Sequence, residues 1–245
     1  MKSLKDKVII ITGASRGIGA NVAIKLADEG ATVVVNFSSN EIAANEVVMN
    51  IKKNGGTAIA IKADVSKEEE VKKMFDETIK AFGCVNVLIN NAGIMTTKYL
   101  KDNTEDDFDK QFNINVKGTF FSLKEASTKL ADNGIIINLS SSTVKMMLPT
   151  YAIYSATKAA VEQMTRVFSK EIGRGVSVNS IAPGPTATKL FLNGKSEELV
   201  ARLASLNAFN RIAQPEDITN IILFLASDDS KWISGQIIYA NGAMV

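Results

Sequence analysis

Tyr154 and Lys158 stand four residues apart in the stretch YSATK, within a helically patterned segment of a chain that has no histidine. That spacing puts a phenol and an ammonium on one helical face, one turn apart. At about 4 Å and an effective dielectric of about 20, opposite unit charges attract by roughly 4 kcal/mol, or about three pKa units. The pair is therefore expected to bring the phenol from about 10 to about 7, where tyrosine is a general acid toward a carbonyl oxygen and, in reverse, a base toward an alcohol. Alone, Y-x-x-x-K is also an ordinary helix surface pair, so its surroundings must give it meaning. Upstream, just past the apolar run GIIINL, lies Ser141 between Ser140 and Ser142. A hydroxyl at the carboxyl end of a central strand is where ligands bind in doubly wound sheets; either neighbouring serine could supply it.

A second constellation is TGASRGIG, residues 12–19, between the first β-branched run and the first amphipathic segment. Gly13, Gly17 and Gly19 let the backbone turn tightly and approach a pyrophosphate at a helix N-terminus. With Ser15, Arg16 and Ile18 they form the expected dinucleotide cradle. The spacing is G-x-x-x-G-x-G, and its place between strand and helix carries the reading more than the glycines themselves. About 20 residues further on, an NAD site carries a carboxylate for the ribose 2′-hydroxyl. Here the chain reads VVVNFSSN, with Asn36, Ser38 and Ser39 and no acid. Together with Arg16 these donors suit a 2′-phosphate, so NADP(H) is the expected cofactor and NAD(H) the alternative.

The elements that must position these groups follow from periodicity. Apolar β-branched runs at 8–12, 32–37, 58–62, 85–90, 134–140, 176–182 and 236–240 alternate with amphipathic segments. Runs apolar on both faces, each followed by a helical pattern, imply an α/β fold: a doubly wound, seven-stranded parallel sheet with helices on both faces. No composition shift divides the chain, so residues 1–245 are expected to form one Rossmann-type domain. The interval 183–214 is too long for an ordinary connection and reads as a functional lid.

Composition narrows the function classes. Twenty-eight basic against 26 acidic side chains leave a net charge of +2, which gives no field for nucleic acid or an anionic membrane and favours a small-molecule partner. One cysteine, Cys84, excludes an internal disulfide framework and reads as a small buried residue; without histidine the usual zinc patterns are absent, and no metal is expected. The N-terminus lacks a signal-peptide pattern and no apolar run is long enough to span a bilayer, so a cytoplasmic protein is expected.

Taken in order, Thr12-Gly13-x-x-x-Gly17-x-Gly19, Asp64-Val65, NNAG at 90–93, Asn115 in NVKG, Ser141, Tyr154-x-x-x-Lys158, and Pro183-Gly184 followed by Thr186 and Thr188 resemble the classical short-chain dehydrogenase/reductase family along nearly the whole chain. The resemblance implies that Tyr154 is the general acid/base, that Lys158 lowers its pKa and binds the nicotinamide ribose, and that Ser141 bonds the substrate oxygen. It gives Asn115 a water that links Lys158 to solvent, although a polar residue there could simply mark a kink. Asp64 and Val65 would contact the adenine, Asn91, Ala92 and Gly93 would lie along the cofactor, and Thr186 would bond the carboxamide, with Pro183, Gly184 and Thr188 beside it. Hydride would pass from the pro-S face of the nicotinamide to the carbonyl carbon. Two positions depart from the family pattern: Asn86 where aspartate is usual, with a local structural effect expected, and Gly242-Ala243 in place of a glycine pair.

In this fold Met146, Met147 and Leu148, with Leu190, Phe191 and Leu192 of the lid, would face the substrate and make an apolar, adaptable wall suited to a hydrophobic ketone; packing against the lid or a neighbouring subunit is the other reading. The overall look is nearest to β-ketoacyl-acyl-carrier-protein reductases, whose acidic carrier docks on basic residues before the fifth strand. Here Asp132 and Asn133 stand there, with only Lys129 nearby, while Arg174 is retained. A 3-oxoacyl-carrier reductase is thus the alternative function, and a noncatalytic dinucleotide-binding regulator a remote one. Helical segments around 104–130 and 154–172, with Phe112, Val116, Phe120, Phe121, Ala160, Met164 and Phe168, resemble those that pair subunits in the family, which implies a homotetramer unless they only cover the sheet.

Overall fold

Seven runs of β-branched residues pair as one parallel sheet: β1 (Val8–Ile11), β2 (Thr32–Phe37), β3 (Thr57–Lys62), β4 (Val87–Asn90), β5 (Ile135–Leu139), β6 (Ser177–Pro183) and β7 (Ile237–Ala240). The computed structural model describes residues 4–245. Strand order is β3-β2-β1-β4-β5-β6-β7, so the order reverses between β1 and β4. The crevice above their carboxyl ends is where such sheets bind ligands.

Between the strands run α1 (Gly17–Asp28), α2 (Glu41–Lys53), α3 (Glu68–Phe82), α4 (Glu105–Phe112), α5 (Gly118–Lys129), α6 (Thr143–Met146), α7 (Ala152–Glu171), α8 (Lys189–Leu192), α9 (Glu197–Ala204) and α10 (Pro215–Ala226). Side chains alternate across each strand, and the core divides accordingly. Ile9, Ile11, Val33 and Val35 pack on one face against Val22 and Leu26 of α1, Ile51 of α2 and Ile222 of α10. Ile10, Val34, Leu88 and Ile136 pack on the other against Phe75 of α3, Leu123 of α5 and Phe168 of α7. Each fully buried Ile or Leu contributes about 1.5–3 kcal/mol, so a sheet apolar on both faces is fixed by its cover of helices.

Two local outcomes bear on the sequence reading. Asn86 accepts the Val8 N–H at 2.7 Å and lies 3.4 Å from the Cys84 thiol, which is a structural effect at the start of β1. The segment around 104–130 is not one helix: α4 and α5 are separated by a π-helical turn, Asn113–Lys117.

Candidate active site

The turn from β1 into α1 is shaped by its glycines. Gly13 and Gly17 have φ of 62° and 59°, the left-handed region that glycine enters without cost. A Cβ on Gly13 would lie 2.9 Å from the Ala92 Cα, and one on Gly19 2.5 Å from the Asn91 amide nitrogen. The close approach lets Asn91 donate to the carbonyls of Thr12 and Gly13 at 2.9 and 3.0 Å, while Thr12 Oγ1 accepts the N–H groups of Asn91 and Ala92. The glycine turn is thereby stitched to NNAG at the switch point.

Arg16 is the N-cap of α1, makes no side-chain cap bond, and the first turn carries no acid. The first N–H groups of a helix have no intrahelical partner, so α1 opens a positive end into a cleft of about 1100 Å³. Ser15, Ile18, Ala92 and Gly93 line this cleft, as do Asp64 and Val65 on its far wall; Asp64 is held by the N–H and hydroxyl of Ser66 at 3.0 and 2.8 Å. Uncapped helix, closely packed glycines and a roomy cleft fit a dinucleotide.

Exposed Arg16, Ser38 and Ser39 edge the cleft where a 2′-phosphate is expected. Asn36 lines the same cleft, but its side-chain polar atoms are engaged within the fold. It is 1% exposed; its Oδ1 accepts the Gly13 N–H at 3.1 Å and its amide donates to the carbonyls of Ala63 and Ile61 at 3.0 and 3.3 Å. The expectation that Asn36 reads the phosphate is corrected: its polar atoms are spent fastening the glycine turn to β3. Asn36→Ala should therefore lower stability by about 1–3 kcal/mol and weaken NADPH and NADH equally, read by urea unfolding and by titration of each nucleotide.

At the carboxyl end of β5 the three serines separate. Ser140 donates to Glu162 at 2.8 Å, and Ser142 donates to the Ala182 carbonyl at 3.0 Å. Ser141 Oγ accepts from the N–H and hydroxyl of Thr143 at 3.2 and 3.1 Å, and the Ser141 hydroxyl acts on the Tyr154 phenol to lower its pKa. Ser140 and Ser142 are engaged within the fold, which agrees with the choice of Ser141 that the family resemblance implied and the residues alone left open.

Tyr154 and Lys158 are both buried on α7, one turn apart. The expected lowering of the phenol pKa does not appear. Burial pushes Tyr154 up to about 12, against a smaller lowering by the Ser141 hydrogen bond, and burial pushes Lys158 down to about 8. The reason is geometric as well as dielectric: Lys158 Nζ lies 5.8 Å from the Tyr154 ring centroid and donates to the Leu139 carbonyl at 2.7 Å. Below pH 8 both folded and unfolded chains carry the Lys158 charge, and folding bears its full desolvation; between about 8 and 10.5 the folded state releases the proton first, so this residue's destabilisation fades. Lys158→Met should consequently stabilise the protein at pH 7, with an advantage that shrinks by about 3 kcal/mol by pH 11. Paired urea titrations across this range measure it; a constant difference would contradict the buried ammonium.

Asn115, on the π-helical turn and 1% exposed, accepts the Ile94 N–H at 2.9 Å. It donates to the Ile94 carbonyl at 2.9 Å and to Thr157 Oγ1 at 3.0 Å. Its side chain ties the segment after NNAG to the helix carrying Lys158.

A second cavity, of about 840 Å³, opens beside Ser141 and Tyr154. It shares Ile18, Asn91, Gly93, Thr188 and Leu190 with the glycine cleft, so the two meet. Pro183, Gly184 and Thr186 form its floor; Thr186 Oγ1 donates to the Gly184 carbonyl at 2.9 Å, and Thr188 caps α8 by accepting the Phe191 N–H. Met146, Leu148, Leu190 and Phe191 supply the apolar wall. Met147 does not: with φ 51° it turns out of the wall and is 84% exposed. Leu192 also lies outside the lining. Sequence reading missed Met95, Tyr151 and Leu203. Tyr151 could have been found at i−3 from Tyr154, and Met95 two residues beyond Gly93; Leu203 arrives only through the folding of the lid.

A family model described as enoyl-(acyl carrier protein) reductase matches residues 13–244. A Picea abies protein named short-chain type dehydrogenase/reductase is 42% identical over 99% of this chain and 93% of its own length. The chain belongs to the short-chain dehydrogenase/reductase family. An Arabidopsis thaliana relative, named NADPH-dependent aldehyde reductase-like protein, chloroplastic, is 40% identical over 99% of this chain and 95% of its own. Among solved structures, an angucycline C-6 ketoreductase with bound NADP superposes with a TM-score of 0.93 at 35% identity, covering 99% of this chain and 96% of that one. It is therefore an oxidoreductase family in which carbonyl reductases and NADP-bound members stand near this chain.

Two surface features of this short-chain dehydrogenase/reductase also take definite form. Arg174 donates to the carbonyls of Leu130, Ser127 and Ala126 at 2.6, 2.9 and 3.2 Å and pairs with Asp132 at 3.3 Å; Lys129 pairs with Asp76 and Glu125. The cations beside β5 are spent within the chain. Of the residues expected on a subunit-pairing face, Phe121, Met164 and Phe168 pack on the core. Phe120 remains 48% exposed, and Phe112 stacks on Phe108 at 4.2 Å.

Proposed function

We propose that this chain is an NADP(H)-dependent carbonyl reductase acting on fairly apolar free ketones and aldehydes. The observation that carries the reading is the meeting of Ser141, Tyr154 and Lys158 in the lining of one apolar cavity that opens into the uncapped glycine cleft. NADPH, when bound, supplies the hydride. Tyr154, protonated at neutral pH, donates its proton to the carbonyl oxygen as that oxygen gains charge, and Ser141 holds the oxygen in line. Lys158, buried one turn further along the same helix, is read as holding the nicotinamide ribose of the bound cofactor. Ile18, Leu190 and Phe191 exclude water from the reacting carbon.

Relatives named NADPH-dependent aldehyde reductase-like and angucycline ketoreductase support the reaction class and the cofactor. The occupied state of Lys129 and Arg174 weighs against an acidic carrier protein as substrate donor. Retention of Ser141, Tyr154 and Lys158 weighs against a noncatalytic regulator. We further read residues 1–245 as one domain, assembled as a homotetramer through the exposed Phe120 side. No helix among the described residues is long and apolar enough to cross a membrane, and a cytoplasmic site remains our reading.

The test is absorbance at 340 nm with NADPH and NADH in parallel against an aryl ketone, an α-ketoester, an acetoacetyl thioester and an aldose. Oxidation of NADPH by the free ketones is the expected result. Strong preference for the thioester would restore the carrier-linked alternative, and binding without any turnover would favour a regulator.

A further inference from the structure

We propose that Glu162 is a positioning residue of the active site, holding the strand end that presents Ser141; the inference rests on the carbonyl reductase reading. Glu162 lies on α7 one turn beyond Lys158 and is 3% exposed. A carboxylate so deeply placed costs several kcal/mol unless its oxygens are partnered. Its Oε1 accepts the Ser140 hydroxyl at 2.8 Å and its Oε2 accepts from Arg166 at 3.3 Å. Ser140 Oγ also approaches the Lys158 carbonyl at 3.5 Å. One buried group thus joins α7 to the segment just past the end of β5.

The other flank is clamped independently. Ser142 donates to the Ala182 carbonyl and accepts the Asn241 amide at 3.0 Å. These two anchors flank Ser141 on either side. A hydrogen bond to a carboxylate is roughly twice as strong as a neutral one, which makes the Ser140–Glu162 contact the firmer restraint. Tyr154, Lys158 and Glu162 occupy successive turns of one helical face, so the helix that carries the acid also fixes its serine partner. A misplacement of about 1 Å can cost about 10²-fold in rate; Glu162 acts through that sensitivity and touches no reacting atom.

Steady-state kinetics of Glu162→Ala, Glu162→Gln, Ser140→Ala and the Glu162→Ala/Ser140→Ala double variant test this, with NADPH affinity read separately by fluorescence. Glu162→Ala should lower kcat by about 10- to 100-fold with NADPH affinity within about twofold. Ser140→Ala should match it, and the double variant should fall no further, since both remove one restraint. Glu162→Gln, whose amide oxygen still accepts from Ser140, should recover most of the loss. Wild-type kcat in Ser140→Ala, losses that multiply in the double variant, or a glutamine variant no better than alanine would overturn the assignment, and Ser140→Ala with Glu162→Gln decides it should Glu162→Ala not fold. Absence of wild-type turnover on every carbonyl would instead overturn the underlying reading.

Discussion

Tyr154→Phe is expected to lower kcat by about 10²- to 10⁴-fold, the usual worth of a general acid, while NADPH affinity stays within a few-fold. Phenylalanine keeps the ring, and with it the edge contact to Tyr151 at 6.5 Å between centroids; it removes the proton that Tyr154 transfers to the substrate oxygen. The phenol, held up to about 12, keeps its proton through neutral pH, so the free protein is poised for reduction. Ser141 still holds the substrate oxygen and keeps part of the stabilisation, which is why the loss has an upper bound. Single-turnover and steady-state rates, with nucleotide binding measured separately, check the point. A variant with more than about a tenth of wild-type kcat would remove Tyr154 as the acid.

Arg16→Ala should weaken NADPH by about 10- to 150-fold, equivalent to the roughly 1.5–3 kcal/mol of a hydrogen bond to a charged group, and NADH by less than about threefold. Arg16 is exposed at the mouth of the glycine cleft beside Ser38 and Ser39, and no acid in the first turn of α1 competes for it. The Asn36→Ala variant supplies the contrast, since a loosened turn harms both nucleotides alike. Equal losses in Arg16→Ala would assign the arginine to the pyrophosphate or to solvent instead of the 2′-phosphate. Fluorescence titration with the two nucleotides in parallel gives the ratio directly.

The sheet was legible because its strands are short, β-branched and apolar on both faces, a pattern with few competing structures. The glycine turn was legible for a related reason: Gly13 and Gly17 occupy φ values that other residues avoid, so residue type alone marks the backbone. The seven ordered motifs named the family before any coordinate. Asn36 was misjudged because an amide at a strand end has the same composition whether it faces a ligand or a neighbouring backbone. Met147 was misjudged because a three-residue apolar run does not say which member turns away.

Sequence by itself determined the fold class and, through its ordered motifs, the family, because period, glycine and helical spacing are local properties of the chain. Tertiary structure decided the rest. It engaged Ser140 and Ser142 with partners from α7 and β6. It committed Arg174 and Lys129 to internal contacts. It also reversed the expected pKa of Tyr154, because helical spacing sets the distance between a phenol and an ammonium, whereas the solvent each has lost depends on everything packed around them.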